Sequence, residues 1–221
     1  MAAMVMNRVR ARFSFLVFDV DGTIVDNTQM IVSIFQELFL KFGHLTYSSE
    51  EIIRRFGPPE EEIISREISE ARREAIEYYL REYERRHPLT GFLSPMDFRS
   101  LRAAGFGLGI FTGKGRTSLS ITLRKMRLEN AFDIIVTGSD VPRSKPHPDG
   151  LNLILQKVDV RQEKALYIGD SPEDVLMARA AGITIAGAMW GAIDKNALRA
   201  SHPEYLFEEP ASLIRWLVSG R

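Results

Sequence analysis

Two aspartates, Asp19 and Asp21, follow the apolar run of residues 15–18, and Gly22 comes directly after them. Such a run is typical of a buried parallel strand, which would carry both carboxylates to one edge of a sheet. Ligands of open α/β sheets bind beyond the carboxyl ends of the strands, so acids at this edge indicate chemistry rather than solubility. A plain Asp-Gly turn that ends the strand is the alternative that this segment alone leaves open.

Polar clusters also follow three later apolar runs: Thr112, Gly113 and Lys114 after residues 106–111, Lys145 after residues 134–137, and Asp170 with Asp174 after residues 165–168. Because the carboxyl ends of parallel strands meet at one edge of a sheet, we expect these side chains to share a site with Asp19 and Asp21. A threonine hydroxyl, the N–H groups of a glycine turn and a lysine ammonium suit the oxygens of a phosphoryl group. The combination predicts phosphoryl transfer.

The chain has no cysteine, so any metal must bind through oxygen or imidazole. Several carboxylates together are hard oxygen ligands, a set typical of a magnesium ion (Mg2+), although calcium accepts the same ligand type. Acids at positions 170 and 174 are also typical of a helix N-terminus, and this reading can coexist with metal binding. We expect a magnesium site in which these acids take part.

The composition narrows the class of protein further. Lysine plus arginine and aspartate plus glutamate both number 29 in 221 residues, so no overall charge attracts nucleic acid or an anionic membrane. The missing cysteine excludes disulfides, and no segment approaches the roughly 20 apolar residues of a membrane span. We expect a soluble, cytoplasmic protein with a loose tail over residues 1–12. Whether it is a monomer or a dimer stays open.

Residue periodicity divides the chain into two parts. Residues 27–93 carry helical spacing and no convincing strand, with helix starts or ends near Gly43, Ser48 and His87. Beyond residue 93, helices alternate with apolar runs at 106–111, 134–137, 165–168 and 183–186. Such alternation predicts an α/β fold with a doubly wound parallel sheet. An all-helical insert, residues 27–93, interrupts it after the first strand.

Four short motifs together resemble those of the haloacid dehalogenase-like superfamily: Asp19-Val20-Asp21-Gly22-Thr23, Thr112-Gly113, Lys145-Pro146, and Gly169-Asp170 with Asp174. The resemblance covers nearly the whole chain, and the position of the insert is similar to the helical cap of the phosphoglycolate phosphatase, pyrophosphatase and β-phosphoglucomutase branch. It implies a Rossmann-like core, residues 1–26 and 94–221, and a cap domain, residues 27–93, that closes over the site and excludes water.

The resemblance also implies a role for each motif residue. Asp19 would be the nucleophile that forms an aspartyl-phosphate, and Asp21 would be the acid/base that protonates the leaving oxygen and then activates water. The phosphoryl group would be held by Thr112, Gly113 and Lys145.

The magnesium ion implied by the same motifs would be bound by Asp19, Asp170 and the backbone carbonyl of Asp21. Asp174 would contribute indirectly or through a water.

The acid at position 21 distinguishes among activities of the superfamily, because the dehalogenases lack an acid at the matching position. The lysine-glycine-x-x-arginine signature of the mutase cap is also missing from the insert. We therefore expect a magnesium-dependent phosphatase, a phosphoric monoester hydrolase, that acts on a small phosphorylated metabolite similar to phosphoglycolate or pyrophosphate. A phosphomutase of the β-phosphoglucomutase type and a non-catalytic phosphate-binding or scaffold protein are the alternatives.

Five residues are candidates for substrate specificity: Arg54, Arg55 and Gly57 in the insert, and Lys114 and Arg116 after the second motif. A cap arginine would pair with a second anionic group through a bidentate contact, but plain solvation of both arginines is an equal alternative. Two departures from the family pattern weaken the transfer of any named substrate. Asn27 replaces the usual serine, and residues 93–96 replace the usual Pro-Gly turn.

Overall fold

A parallel sheet of six strands forms the centre of the computed structural model, which describes residues 8–220. Its strands are β1 (Phe15–Phe18), β2 (Gly107–Thr112), β3 (Ile134–Thr137), β4 (Ala165–Gly169), β5 (Thr184–Ala188) and β6 (Tyr205–Phe207). The spatial order is β3-β2-β1-β4-β5-β6, and all neighbours are parallel. The chain leaves β1 towards β2 and β3 and returns to β4 on the other side of β1. The strand order therefore reverses between β1 and β4, and the predicted doubly wound sheet is confirmed.

Within the described residues, the helices are α1 (Arg8–Arg12), α2 (Thr28–Gly43), α3 (Ser49–Ile53), α4 (Glu60–Glu67), α5 (Arg72–Arg86), α6 (Pro95–Ala103), α7 (Arg116–Lys125), α8 (Asp149–Val158), α9 (Pro172–Ala180), α10 (Lys195–Ala200) and α11 (Pro210–Ser219). Among them, no helix has the length and apolar character needed to cross a membrane.

The continuous apolar run of β1 arises because both faces of the sheet are covered. Leu16 and Phe18 join a buried cluster with α6 and α11, whereas Phe15 and Val17 join a second cluster with α8 and α9. All four β1 side chains are buried. The strand that carries the first two aspartates is therefore fixed from both sides.

The insert has a hydrophobic core of its own. Helices α2 to α5 enclose a third cluster in which the rings of Phe35 and Tyr79 lie 5.0 Å apart between centroids. Ile121 of α7 also belongs to this cluster, so the insert packs directly on the part of the chain that follows β2. The division of domains at residues 27 and 93 stays a prediction.

The amino-terminal tail differs from the sequence prediction. Residues 8–12 form α1, and Val9 is buried in the cluster shared with α6 and α11. A helix of five residues is too short for its periodicity to be recognised in a basic segment. The remainder of the predicted loose tail, residues 1–7, lies outside the described residues.

Two elements near the carboxyl end were also missed. The sequence predicted a single helix after the strand at 183–186, but α10 and β6 come before the last helix, α11. β6 has three residues and lies at the edge of the sheet, and Leu206 at its centre is 41% exposed. A run of three apolar residues is too short to indicate a strand, which is why the pattern did not reveal it.

The ion pair between Glu37 of α2 and Arg86 of α5 joins two helices of the insert and gives a first prediction. Arg86 donates to both carboxylate oxygens of Glu37, which lowers the pKa of Glu37 to about 2. We expect Glu37→Gln to lower the free energy of unfolding by about 1 kcal/mol at pH 7, as measured by urea denaturation. The loss is modest because solvent weakens the attraction in a partly exposed ion pair.

The matched control is Glu77→Gln, whose partner Arg73 has a side chain that is 87% exposed, and it should cost less. Because the folded-state pKa of Glu37 lies below the ordinary value of 4.5, the stabilisation is present above that pH and is lost as the pH falls towards 2. Equal losses in the two variants, or a difference that persists at low pH, would contradict the prediction.

Candidate active site

The predicted site residues meet at the point where the strand order reverses. Asp19 follows β1, Asp170 follows β4, Thr112 ends β2, and Lys145 lies in the loop that leads to α8. With the insert, they line a cavity of about 430 Å³, which we call the central cavity. Residues that are far apart in the sequence thus converge, as expected for an open α/β sheet.

Lys145 links two of the aspartates. Its Nζ lies 2.8 Å from Asp19 Oδ2 and 2.8 Å from Asp174 Oδ1. Burial alone would lower the pKa of Lys145, but the charges of Asp174 and Asp19 raise it above its ordinary value. Burial raises the pKa of Asp19 to about 6, and Lys145 opposes that rise. Lys145 is therefore charged at neutral pH and holds the carboxylate of Asp19 in place.

Asp174 is fully buried and is surrounded by donors. Its Oδ1 lies 2.8 Å from Lys145 Nζ and 3.1 Å from the hydroxyl of Tyr167, and its Oδ2 accepts from Asp170 N, Ser171 N and Ser171 Oγ. Ser171 and Asp174 also form a capping box at the start of α9. The helix-capping reading of Asp174 is therefore observed. A direct bond from Asp174 to a metal would have to displace one of these donors.

The aspartates fit a divalent cation. Ligand oxygens of Asp19, Asp170 and Asp174 lie within 4.8 Å of one another. Burial raises the pKa of Asp170 well above its usual range, and the charges of Asp174 and Asp19 raise it further. Such a cluster of carboxylates, two of them buried, lacks compensating positive charge, and hard oxygen donors suit Mg2+. Thr23 Oγ1 donates to Asp170 Oδ1 at 2.9 Å and fixes its orientation.

Gly22 allows Asp170 to approach the backbone beside Asp21. Its φ is +77°, a value that favours glycine, and a Cβ at this position would lie 2.2 Å from Asp170 Oδ2. Any other residue would therefore push Asp170 out of place. Gly22, which the sequence placed in a turn, therefore also leaves the space that the Asp170 carboxylate occupies.

Asp21 is held from two sides. Asn27 Nδ2 donates to its Oδ1 at 2.6 Å, and Lys114 Nζ lies 3.0 Å from its Oδ2. Asn27 precedes α2 but its side chain does not cap that helix. The same Nδ2 donates to the hydroxyl of Tyr83 in α5 at 3.0 Å. The sequence had marked Asn27 only as a departure from the family pattern, and the structure gives it a contact with Asp21.

Lys114 connects Asp21 to Glu60, the first residue of α4 in the insert. Lys114 Nζ lies 3.1 Å from Glu60 Oε1, and the same carboxylate accepts from Gly115 N and from Ser118 Oγ, both at 2.7 Å. We call Glu60, Lys114, Gly115 and Ser118 the Glu60 clasp. Burial alone would raise the pKa of Glu60, but Lys114 and the two hydrogen bonds lower it below its ordinary value. The clasp is a buried, charged connection between the insert and the turn after β2.

The sequence did not indicate the clasp. Residues 60–62 are three successive glutamates, and acids in the first turn of a helix are common because they interact well with the helix dipole. Only the burial of Glu60, at 6% exposure, distinguishes it from its neighbours. That burial depends on contacts with α7, which no local pattern reveals.

Gly57 and Gly113 bring the insert against the phosphoryl-binding turn that the sequence predicted. A Cβ on Gly113 would lie 2.3 Å from the carbonyl oxygen of Gly57, and the φ of Gly57 is +125°. Both positions therefore require glycine. The loop that precedes α4 lies directly on the turn that holds Thr112.

Two of the five predicted specificity residues lie outside the central cavity. Arg55 pairs with Glu67 at 3.0 Å and stacks on the ring of Tyr47, and the exposed Arg116 pairs with Asp140. Both arginines have local partners and neither lines the cavity, and the proposal that they contact substrate stays a prediction. The other three, Arg54, Gly57 and Lys114, line the cavity.

Comparison with known proteins agrees with this geometry. A family model described as haloacid dehalogenase-like hydrolase matches residues 16–188. Pyrophosphatase PpaX from Oceanobacillus iheyensis is 30% identical over 203 residues, and pyrophosphatase PpaX from Bacillus pumilus is 31% identical over 202 residues. Each match covers 90% of this chain and 94% of the relative. A solved structure from Haemophilus somnus is described as a predicted phosphoglycolate phosphatase. It superposes on this chain with a TM-score of 0.77 at 20% identity, and the match covers 92% of this chain and 97% of that structure. This similarity concerns the fold.

The Glu60 clasp gives a prediction about stability. Glu60→Gln removes one partner of a buried ion pair and should lower the free energy of unfolding by about 3 kcal/mol in urea denaturation at pH 7. Glu62→Gln is the matched control, because Glu62 is half exposed and pairs only within α4; it should cost less than about 0.5 kcal/mol.

The pH dependence of this difference follows from the lowered pKa of Glu60. The stabilisation should be complete above the ordinary value of 4.5 and should be lost as the pH falls below it. A loss in Glu60→Gln no larger than that in Glu62→Gln would show that the clasp contributes nothing to stability.

Proposed function

Because the chain belongs to the haloacid dehalogenase-like hydrolase family, we propose that it is a magnesium-dependent phosphatase that hydrolyses small phosphorylated metabolites through an aspartyl-phosphate at Asp19. The observation that carries the proposal is the pairing of Lys145 with Asp19 beside Asp170, at the edge where Thr112 and Gly113 also lie. A nucleophile, a cation and donors for phosphoryl oxygens share one cavity. The names of the relatives make pyrophosphate and phosphoglycolate the reference substrates.

In the first step, a carboxylate oxygen of Asp19 attacks phosphorus and the bond between phosphorus and the leaving oxygen breaks. Lys145 orients Asp19 and compensates charge on the phosphoryl oxygens, which also receive hydrogen bonds from Thr112 and the turn at Gly113. Asp21 gives its proton to the leaving oxygen, so the product leaves as a neutral alcohol. Asn27 and Lys114 keep the Asp21 carboxyl group in position.

In the second step, Asp21 takes a proton from a water that attacks the phosphorus of the aspartyl-phosphate. Inorganic phosphate leaves and the carboxylate of Asp19 is restored. Asp19, Asp170 and the backbone carbonyl of Asp21 would hold Mg2+, with Asp174 orienting the loop behind them. When bound, the ion would neutralise charge that develops on the phosphoryl oxygens.

Replacement of the nucleophile tests the mechanism. We expect Asp19→Asn to reduce kcat for an aryl phosphate at least a thousandfold, because an amide does not form the covalent intermediate. A chelator should abolish turnover by the unaltered protein and added Mg2+ should restore it. The matched control is Asp26→Asn, since Asp26 is exposed and lies outside the cavity. Turnover that survives both Asp19→Asn and the chelator would disprove the proposal.

The role of Asp21 has a separate test. In Asp21→Asn, an aryl phosphate with a good leaving group should still phosphorylate Asp19, but hydrolysis should be slow because no base activates water. We expect a burst of one equivalent of aryl alcohol and a protein mass increased by one phosphoryl group, which is absent when Asp19 is also replaced.

Equal loss of both steps without accumulation would show that Asp21 is not the base. Net isomerisation of a phosphosugar with little phosphate release would instead indicate the mutase. Phosphate binding without any turnover would indicate the scaffold.

A further inference from the structure

The central cavity has two chemically different sides. The side formed by the sheet carries the aspartates and lysines described above. The insert contributes Thr28, Arg54, Gly57 and Glu60 to the lining, but most of its lining residues are apolar: Ile31, Phe35, Ile53, Phe56, Pro58 and Ile63. Ile53 and Phe56 are partly buried, whereas Ile31, Phe35 and Ile63 are buried. We call these six residues the apolar wall.

The net negative charge of the residues that line the cavity disfavours the binding of a second anionic group. Six carboxyl groups and three cations line it, so its formal charge is −3 with every carboxyl group ionised and −2 with Asp21 protonated as the acid. A divalent cation and a phosphoryl dianion cancel each other and leave this excess unchanged. A further carboxylate or phosphate on the substrate would enter a region that is already negative, which costs electrostatic energy in a partly desolvated site.

The three cations are already paired. Lys145 contacts Asp19 and Asp174, and Lys114 contacts Asp21 and Glu60. The remaining cation is Arg54, whose side chain is 70% exposed and pairs with Glu50 outside the apolar wall. Among the described residues that line the cavity, none is a buried cation left to receive a second anion. Of the two alternatives that the sequence left open for the cap arginines, this arrangement favours the one without a second anionic group.

The apolar wall begins beside the phosphoryl-binding turn. Gly57, whose carbonyl oxygen lies against Gly113, directly follows Phe56, so the apolar residues of the insert begin next to the turn proposed to hold the phosphoryl group. The cavity of about 430 Å³ corresponds to about 14 water molecules in the liquid, more space than the nine heavy atoms of pyrophosphate occupy. A larger apolar group would fill it.

We infer that the substrate is a phosphate monoester whose leaving group is uncharged and apolar, and that the apolar wall binds this group. The inference rests on the proposed function and narrows it. Pyrophosphate and phosphoglycolate, which the names of relatives make the reference substrates, are disfavoured because each carries a second acid. Specificity then comes from burial of carbon rather than from an ion pair.

A series of linear alkyl monophosphates from ethyl to hexyl tests the inference with the unaltered protein and Mg2+. Each methylene buried against the wall should raise kcat/KM by about fourfold until the cavity is filled. Hexyl phosphate should exceed both phosphoglycolate and pyrophosphate in kcat/KM. A flat series, or higher kcat/KM for either doubly acidic substrate, would overturn the inference.

Variants of the apolar wall test whether these residues cause the gain in kcat/KM per methylene. Ile53→Ser should reduce the gain per methylene, and Phe56→Ser is a second variant should the first unfold at assay temperature. The matched control is Leu40→Ser, since Leu40 is an apolar residue of the insert that is 57% exposed and lies outside the cavity. Ile53→Arg should raise kcat/KM for phosphoglycolate by supplying the missing cation. An undiminished gain per methylene in a folded Ile53→Ser protein would overturn the assignment to this wall.

The two levels of the proposal fail in different ways. Turnover of all esters with pyrophosphate or phosphoglycolate preferred would overturn the inference and leave the phosphatase mechanism standing. Turnover of none of them, including a generic aryl phosphate, would overturn the proposed function and the inference with it.

Discussion

The close approach of three carboxylates, two buried and one partly buried, is the constraint on which the rest of the site depends. Two like charges 4 Å apart repel by about 4 kcal/mol at an effective dielectric constant of about 20, and Asp19, Asp170 and Asp174 meet within 4.8 Å. Lys145 lies between two of them, and Asp170 N and Ser171, just before α9, donate to Asp174. Gly22 gives Asp170 the space to join them. The sheet order, the loop after β3 and the start of α9 together keep these three carboxylates close to one another.

The carboxyl group proposed as the acid/base depends on both parts of the molecule. Asp21 follows the central strand, yet one of its partners, Asn27, begins the insert, and the other, Lys114, is shared with Glu60 of the insert. The hydroxyl of Tyr83, which accepts from Asn27, also pairs with Thr122 of α7. The position of the insert therefore determines the surroundings of Asp21. Asp19 depends on the core alone.

Local patterns predicted the parts of the structure that local interactions determine. The apolar run of β1 and the helix start near Ser48 follow from short spacings, and each has its expected form. Tertiary packing determined what was missed. Glu60 resembled any acid at a helix start until α7 enclosed it, and nothing in the sequence showed that Arg55 would turn to Glu67 rather than to the cavity. The strand β6 was missed because its three residues are too few to form a recognisable pattern.

The register of β1 has a consequence for the order in which the chain folds. Phe15 pairs with Gly107 on one side and with Ala165 on the other, so its partners lie 92 and 150 positions away in the sequence. Closing loops of that length costs conformational entropy before the strand contacts form and offset it. Folding also becomes slower as the mean sequence separation between contacting residues grows. The insert, in contrast, builds its core mainly from residues 31–83. The aspartates thus come together only through the most distant pairings of the sheet, and the mutual repulsion of these acids opposes the step that creates the site.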